Sequence, residues 1–288
     1  MPTKVTLKLF SGRPNPTFVL NSEQTKEIDD ICASLGGMTT SAPAGKRGGL
    51  GFRGFRLQGL SADRGAPREM YAHAGIIDRN AFNNTVDPKR LVEKKLLEFA
   101  TANHVISPRV QAYLEKEVQG PPQLAAPAVA TMTGCPACVA ADAPAYDPNA
   151  WNSDPTITTE NNCYNYANNQ ITYTFAQPGR HSGHPANAME CPSVQQAAIS
   201  DGLATSADFS TPLAHGQGWY VALVIWPDED YHWFRQDSTG CWSHKPGGTD
   251  VTNLDDSNNP ITNPRLSNNG PYTDFCTFMV TSAAVVIS

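Results

Sequence analysis

The stretch ENNCYNYANNQ, residues 160–170, sets a cysteine among asparagines and tyrosines, and DYHWFRQDSTGCWSHKPGG, residues 230–248, later sets two histidines about a tight turn. A thiol and an imidazole are the parts of a nucleophile–base pair, and spatial rather than sequential adjacency is what such a pair needs. Asn162 is a preferred helix N-cap, which predicts Cys163 in the first turn of a short helix. There the helix dipole and unpaired N–H groups favour the thiolate. The same N–H groups can hold an oxyanion, with Asn161 or Asn162 adding an amide donor.

His232 follows the nearly continuous apolar run YVALVIW and the turn PDED, which predicts a central buried strand before it. The turn DSTG suits a three-residue hairpin loop with Gly240 in the left-handed position. That loop pairs Asp237 with Cys241 and Phe234 with His244, so His232, Phe234 and His244 share one face. A two-residue loop at Ser238 and Thr239 would flip His244 to the other face. In the first register His232 can act as base and His244 as its orienter; the plain counterpart is a polar loop beside a core thiol and core histidines.

The order of these parts resembles the papain-like cysteine hydrolase superfamily, in particular its compact bacterial branch of cell-wall amidases and peptidases, over residues 135–288. The resemblance implies an α+β domain in which a helix-borne cysteine packs on an antiparallel sheet that carries the histidine. It implies Cys163 as nucleophile, His232 as general base and then acid, His244 as orienter, a peptide or amide substrate, an acyl-enzyme on Cys163, and no cofactor. In many relatives the histidine begins the strand after the helical region, where this chain has Gly218 and Trp219; His215 is then the reserve histidine.

Other residues compete for attention. CPAC (Cys135, Cys138) and HSGH (His181, His184), with Cys191 nearby, have zinc-ligand spacing, yet they lack the flanking pattern of a zinc finger, and HSGH also reads as a polar loop. A disulfide among Cys135, Cys138, Cys191 and Cys241 is the stronger alternative, and seven cysteines leave at least one unpaired in a monomer. Asp250, Asp255 and Asp256 lack the spacing of an EF-hand and read as a long Asx-turn loop. The expectation is therefore that no metal is bound.

The elements that must position these residues fall into two blocks. Residues 1–118 read as an α+β accessory domain: a hairpin of KVTLKLF and TFVL, a helix capped at Asn21 or Ser22, strands in GFRGFRLQGL and EMYAHAGIID, a helix with Pro88 at an early position, and a helix from Pro108 to Val118. Residues 119–134 form a Pro/Ala-rich linker, and residues 135–288 form the block with the chemistry. There GWYVALVIWP, DYHWFRQD, CWSHKPG and TDFCTFMVTSAAVVIS read as strands, and CPSVQQAAISDGL as a helix.

Of 21 Lys/Arg and 27 Asp/Glu, residues 119–288 hold only four basic residues but fifteen acidic ones, so the first block is basic. A solvated basic face accounts for this, with a protein partner of the first block as the other option. Arg53 and Arg56 beside Phe52 and Phe55 fit a strand with a bulge at Gly54 better than a nucleic-acid surface. No run is long and apolar enough for a membrane span, and no h-region precedes Gly12, which favours the cytosol while leaving non-classical export open. The alternative to a hydrolase is a non-catalytic binding module or secreted interaction factor, stabilised by disulfide or zinc, in which Trp219, Trp226, Trp233 and Trp242 pack a β-core.

Overall fold

A computed structural model describes residues 2–35, 39–40, 49–60, 68–79, 84–122, 134–136 and 138–288. The chain forms two compact units, one from Met1–Leu9, Asn15–Arg47 and Phe52–Pro127, the other from Phe10–Pro14, Gly48–Gly51 and Ala128–Ser288. Most of the Pro/Ala-rich stretch, residues 123–133, and the basic Gly-rich loop at residues 41–48 lie outside the described residues. Each unit is mixed α+β, with one antiparallel sheet.

In the first unit the order is β1 (Thr3–Leu7), β2 (Thr17–Leu20), α1 (Ser22–Ser34), β3 (Thr39–Thr40), β4 (Phe55–Leu60), β5 (Arg68–His73), β6 (Ile76–Asp78), β7 (Asn84–Val86), α2 (Leu91–Ala102) and α3 (Pro108–Glu117). The seven strands lie in the order β2-β1-β4-β5-β6-β7-β3. Alternation in β1 buries Val5 and Leu7, and Thr3 stands opposite Leu20 in the expected hairpin. Asn21 caps α1 through a reciprocal box with Gln24, and Ile28 and Cys32 face the core.

Two elements differ from the sequence expectation. EMYAHAGIID is not one strand: Ala74 and Gly75 both take positive φ (52° and 76°), and the chain doubles back so that His73 faces Ile76. Two positive φ values make the tight turn whose twist matches an antiparallel pair, and the buried Glu93 carboxylate accepts the N–H groups of Ala74 and Gly75 at 3.0 and 2.7 Å. The helix expected from Pro88 starts instead at Leu91, because Arg90 is left-handed (φ 53°) and pairs with Glu93, while the Asp87 side chain accepts the Val92 N–H at 2.9 Å.

The second unit runs α4 (Asn149–Asn152), α5 (Pro155–Glu160), α6 (Cys163–Ala167), α7 (Cys191–Ser200), β8 (Ala204–Ser206), β9 (Trp219–Trp226), β10 (Asp230–Gln236), β11 (Trp242–His244) and β12 (Asp274–Thr281). Its sheet order is β11-β10-β9-β12-β8, which places the apolar β9 at the centre. Every residue of β9 and of β10 is buried. Disulfides join Cys135 to Cys241 and Cys191 to Cys276.

The β10–β11 register has Phe234 opposite His244 and the Asp237 N–H donating to the Cys241 carbonyl, which is the three-residue loop. Gly240 takes φ 84°, and a Cβ at that position would collide with the carbonyl oxygen of Pro136. Gly240→Ala should therefore lower unfolding stability by more than about 2 kcal/mol, combining the left-handed penalty with displacement of the Cys135–Cys138 segment. Urea denaturation of the oxidised protein measures this; a loss below about 0.5 kcal/mol would mean that the loop repacks without strain.

Candidate functional site

The asparagines around Cys163 build the start of α6. The Asn162 side-chain oxygen accepts the N–H groups of Tyr164 and Asn165 at 3.0 and 3.1 Å, and the Asn165 oxygen accepts the Asn162 N–H at 3.1 Å. This reciprocal box fixes Cys163 as the first helical residue. The other ends of these amides reach outward: Asn162 Nδ2 donates to the carbonyls of Gly12 and Ala176 at 2.9 and 2.8 Å, and Asn165 Nδ2 to Gln170 O and Thr172 Oγ1. Asn161 Nδ2 donates to Ile157 O at 3.0 Å while its oxygen accepts from Thr172 and Tyr173. Asn168 spans Tyr164 O and the Thr281 hydroxyl. The amide donors of Asn161 and Asn162, candidates for an oxyanion hole, thus bind carbonyls of the protein itself.

The sheet separates Cys163 from the histidines. Cys163 lies in an apolar cluster with Tyr164, Val221, Leu223, Ile225, Tyr231 and Trp233, wholly out of contact with solvent. Tyr231 and Trp233 face α6, and the Tyr164 and Trp233 rings lie 5.5 Å apart. Alternation along β10 turns His232, between them, to the opposite face, where its ring packs against Phe234, His244 and Tyr272. Burial drives the Cys163 thiol well above its ordinary range, Asp230 adds to this, and the backbone N–H groups of Trp233 on β10 and of Cys163 and Tyr164 at the helix start oppose it only partly. That is the reverse of an activated thiolate.

The structure does bring His232 and His244 together. Nε2 of His232 and Nδ1 of His244 are 2.8 Å apart, and Nε2 of His244 is 2.9 Å from Leu254 O. A carbonyl only accepts, so His244 Nε2 carries the proton; with neutral rings, His244 Nδ1 then accepts from His232 Nε2–H. The pair forms a relay of buried donors that ends on the backbone.

The remaining candidates are dispersed. His215 is exposed and pairs with Asp142 at 3.0 Å, and that carboxyl is held below its usual range by His215 and the N–H of Gly216. His184 contacts Ser182 O, and Cys135 and Cys191 are committed to disulfides. Among the described residues no three His, Cys, Asp or Glu side chains converge as a metal site. Asp255 accepts the N–H groups of Ser257, Asn259 and Asn268, which makes it the organiser of the Asx-turn loop.

The polar centres that sequence reasoning missed are buried charges, with both local and distant partners. The Asp230 carboxylate accepts the N–H groups of Ser11, Gly12 and Arg13 and the Tyr272 hydroxyl, the last at 2.5 Å. Arg235 pairs with Asp237 at 3.0 Å, donates to the Tyr166 hydroxyl at 2.9 Å, and lies 4.0 Å over the Tyr166 ring. Burial pushes Asp237 up to about 6 despite that guanidinium. Lys245 donates to the carbonyls of Thr158, Gly247 and Thr249. No spacing rule reaches across the 219 residues between Asp230 and Ser11 or the 69 between Arg235 and Tyr166, whereas the Arg235–Asp237 pair lies only two residues apart.

Comparison with known proteins gives one informative relative. Over 130 residues the chain is 48% identical to insoluble matrix shell protein 1 of Ruditapes philippinarum, an alignment that takes in 45% of this chain and 84% of that protein. No family model matches the chain, and no solved structure matches it.

Two outcomes follow from this geometry. Iodoacetamide at pH 8 should label half-buried Cys138 in the native protein and leave Cys163 unlabelled, with or without His232→Ala, while urea exposes both thiols. Peptide mass spectrometry reads this, and native labelling of Cys163 at the rate of Cys138 would contradict the enclosed thiol. Asn162→Ala should cost about 1–2 kcal/mol, the worth of the lost cap, because the carbonyls of Gly12 and Ala176 keep donors from Gln177 and Tyr231. Urea denaturation measures the loss.

Proposed function

The chain belongs to the family of insoluble matrix shell protein 1, and we propose that it is a non-catalytic, disulfide-braced component of an extracellular insoluble matrix. The observation that carries this reading is the placement of Cys163, enclosed in an apolar cluster on the face of the sheet away from His232. A papain-like thiol hydrolase needs an accessible thiol beside an imidazole. Here the thiol is buried and raised in pKa, and the neighbouring amides are committed to the fold. The polar groups around Cys163 support a rigid binding module better than acyl transfer.

Two disulfides point in the same direction. Such bonds persist in oxidising compartments and are rare in the cytosol, so they weigh toward export over the cytosolic expectation. They close stretches of 106 and 85 residues, and in the chain-entropy picture each alone removes about 5 kcal/mol of freedom from the unfolded chain. A protein held outside the cell in a matrix benefits from that constraint.

Co-sedimentation tests the proposal. The oxidised protein should be depleted from solution by the demineralised insoluble fraction of Ruditapes philippinarum shell, and Cys163→Ser should be depleted equally. The reduced and alkylated protein should bind at least threefold less. If the oxidised protein stays in the supernatant, or if it cleaves a peptide library and Cys163→Ser does not, the matrix reading fails.

A further inference from the structure

In the second unit a cavity of about 420 Å³ opens between the turn that ends α6, the start of β9 and the segment after β12. Asn169, Gln170 and Asp142 line it with polar groups, and Pro144, Trp219 and Val286 with apolar surface. Its size and this mixture, an apolar wall with a few placed polar groups, are those of a small-ligand site. No lysine or arginine among the described residues lines it.

Each polar group is held by the protein on one side and left open on the other. Asn169 takes φ 53°, and its side-chain oxygen accepts from buried Arg235 at 3.0 Å, which leaves the amide nitrogen with two N–H groups to give. Gln170 is held the opposite way round: Nε2 donates to Val285 O at 2.7 Å, and the oxygen keeps its lone pairs. Asp142 accepts from His215 and from the N–H groups of Gly216 and Gly218. A carboxylate has about four acceptor positions, so Asp142 retains one. Because its other end is already bonded, no amide here is free to flip, and the cavity offers one fixed donor group and two fixed acceptors.

We infer that this cavity binds one or two units of a neutral saccharide. A hydroxyl both donates and accepts, so neighbouring ring hydroxyls can meet Asn169, Gln170 and Asp142 in whichever sense each requires. A peptide unit has one fixed donor and one fixed acceptor and lacks that freedom. The C–H face of a sugar ring suits the wall of Pro144 and Val286, and the Asp142 carboxylate, with no cation beside it in the lining, disfavours an anionic polymer. The site uses neither the disulfides nor the Cys163 thiol, so it can fail while the matrix reading stands, and the reverse.

NMR of the oxidised full chain tests this through the Asn169 side-chain amide resonances, assigned by their loss in Asn169→Asp. The probes are the neutral hexasaccharides of α-1,4-glucose, β-1,4-glucose and β-1,4-N-acetylglucosamine, with N-acetyl-tetraalanine amide as the peptide control. At least one hexasaccharide should shift the Asn169 amide saturably, with a Kd of about 1 mM or tighter by calorimetry. Asn169→Asp keeps the oxygen that faces Arg235 and removes only the donor, and it should weaken binding about fivefold. Val286→Asp, at a half-exposed position where folding is not at stake, should weaken it at least as much. The site is overturned if no hexasaccharide shifts the Asn169 amide, if affinity is unchanged in Val286→Asp, or if the alanine peptide binds as tightly as the best sugar, which would assign the cavity to peptides.

Discussion

Strands β9 and β10 are buried along their whole length on both faces, and this one constraint governs the polar architecture of the second unit. A polar side chain on such a strand has no water to turn to, and leaving it unpaired costs about 1–3 kcal/mol or more. Each polar residue of β10 has accordingly acquired an internal partner. Asp230 takes three backbone N–H groups and a phenol, His232 takes His244, Arg235 takes Asp237 and Tyr166, and Gln236 reaches the carbonyls of Cys138 and Gly240. The histidine pair that looks like chemistry in the sequence is one member of this series.

The asparagines obey the same logic from the helical side. An amide has two donors and two acceptor lone pairs, so one buried asparagine can tie together segments that share no secondary structure. Asn162 joins the start of α6 to Gly12 and to Ala176, which are 150 and 14 residues away. Loops with few regular elements are held in place by this means, which explains why a unit with short helices and long irregular segments still encloses an apolar core. The residues that resemble an oxyanion hole serve to order the chain around the thiol.

Sequence reasoning reached the local geometry and stopped at the tertiary relation. The Asn162 cap, the Gly240 loop and the Phe234–His244 register are consequences of short-range chemistry, and they were legible as such. The side of the sheet taken by α6 was not legible. A strand such as YVALVIW is apolar at every position, so it carries no alternation to mark which face meets the helix. The doubling back at Ala74 and Gly75 escaped notice because two residues, one of them alanine, make a weak turn signal. Disulfide partners were out of reach for a simpler reason: cysteine spacing restricts pairings without choosing among them.

The two disulfides interleave along the chain, since Cys191 falls inside the Cys135–Cys241 loop and Cys276 outside it. A single backbone cut between Cys135 and Cys241 leaves its two ends tethered by the first bond, and a cut between Cys191 and Cys276 leaves them tethered by the second. No one peptide bond between residues 135 and 276 is therefore indispensable to the covalent integrity of the unit. A nick by a protease in any of its long polar loops would yield two chains that still travel as one molecule, and release of a fragment would require a second cut or a reductant.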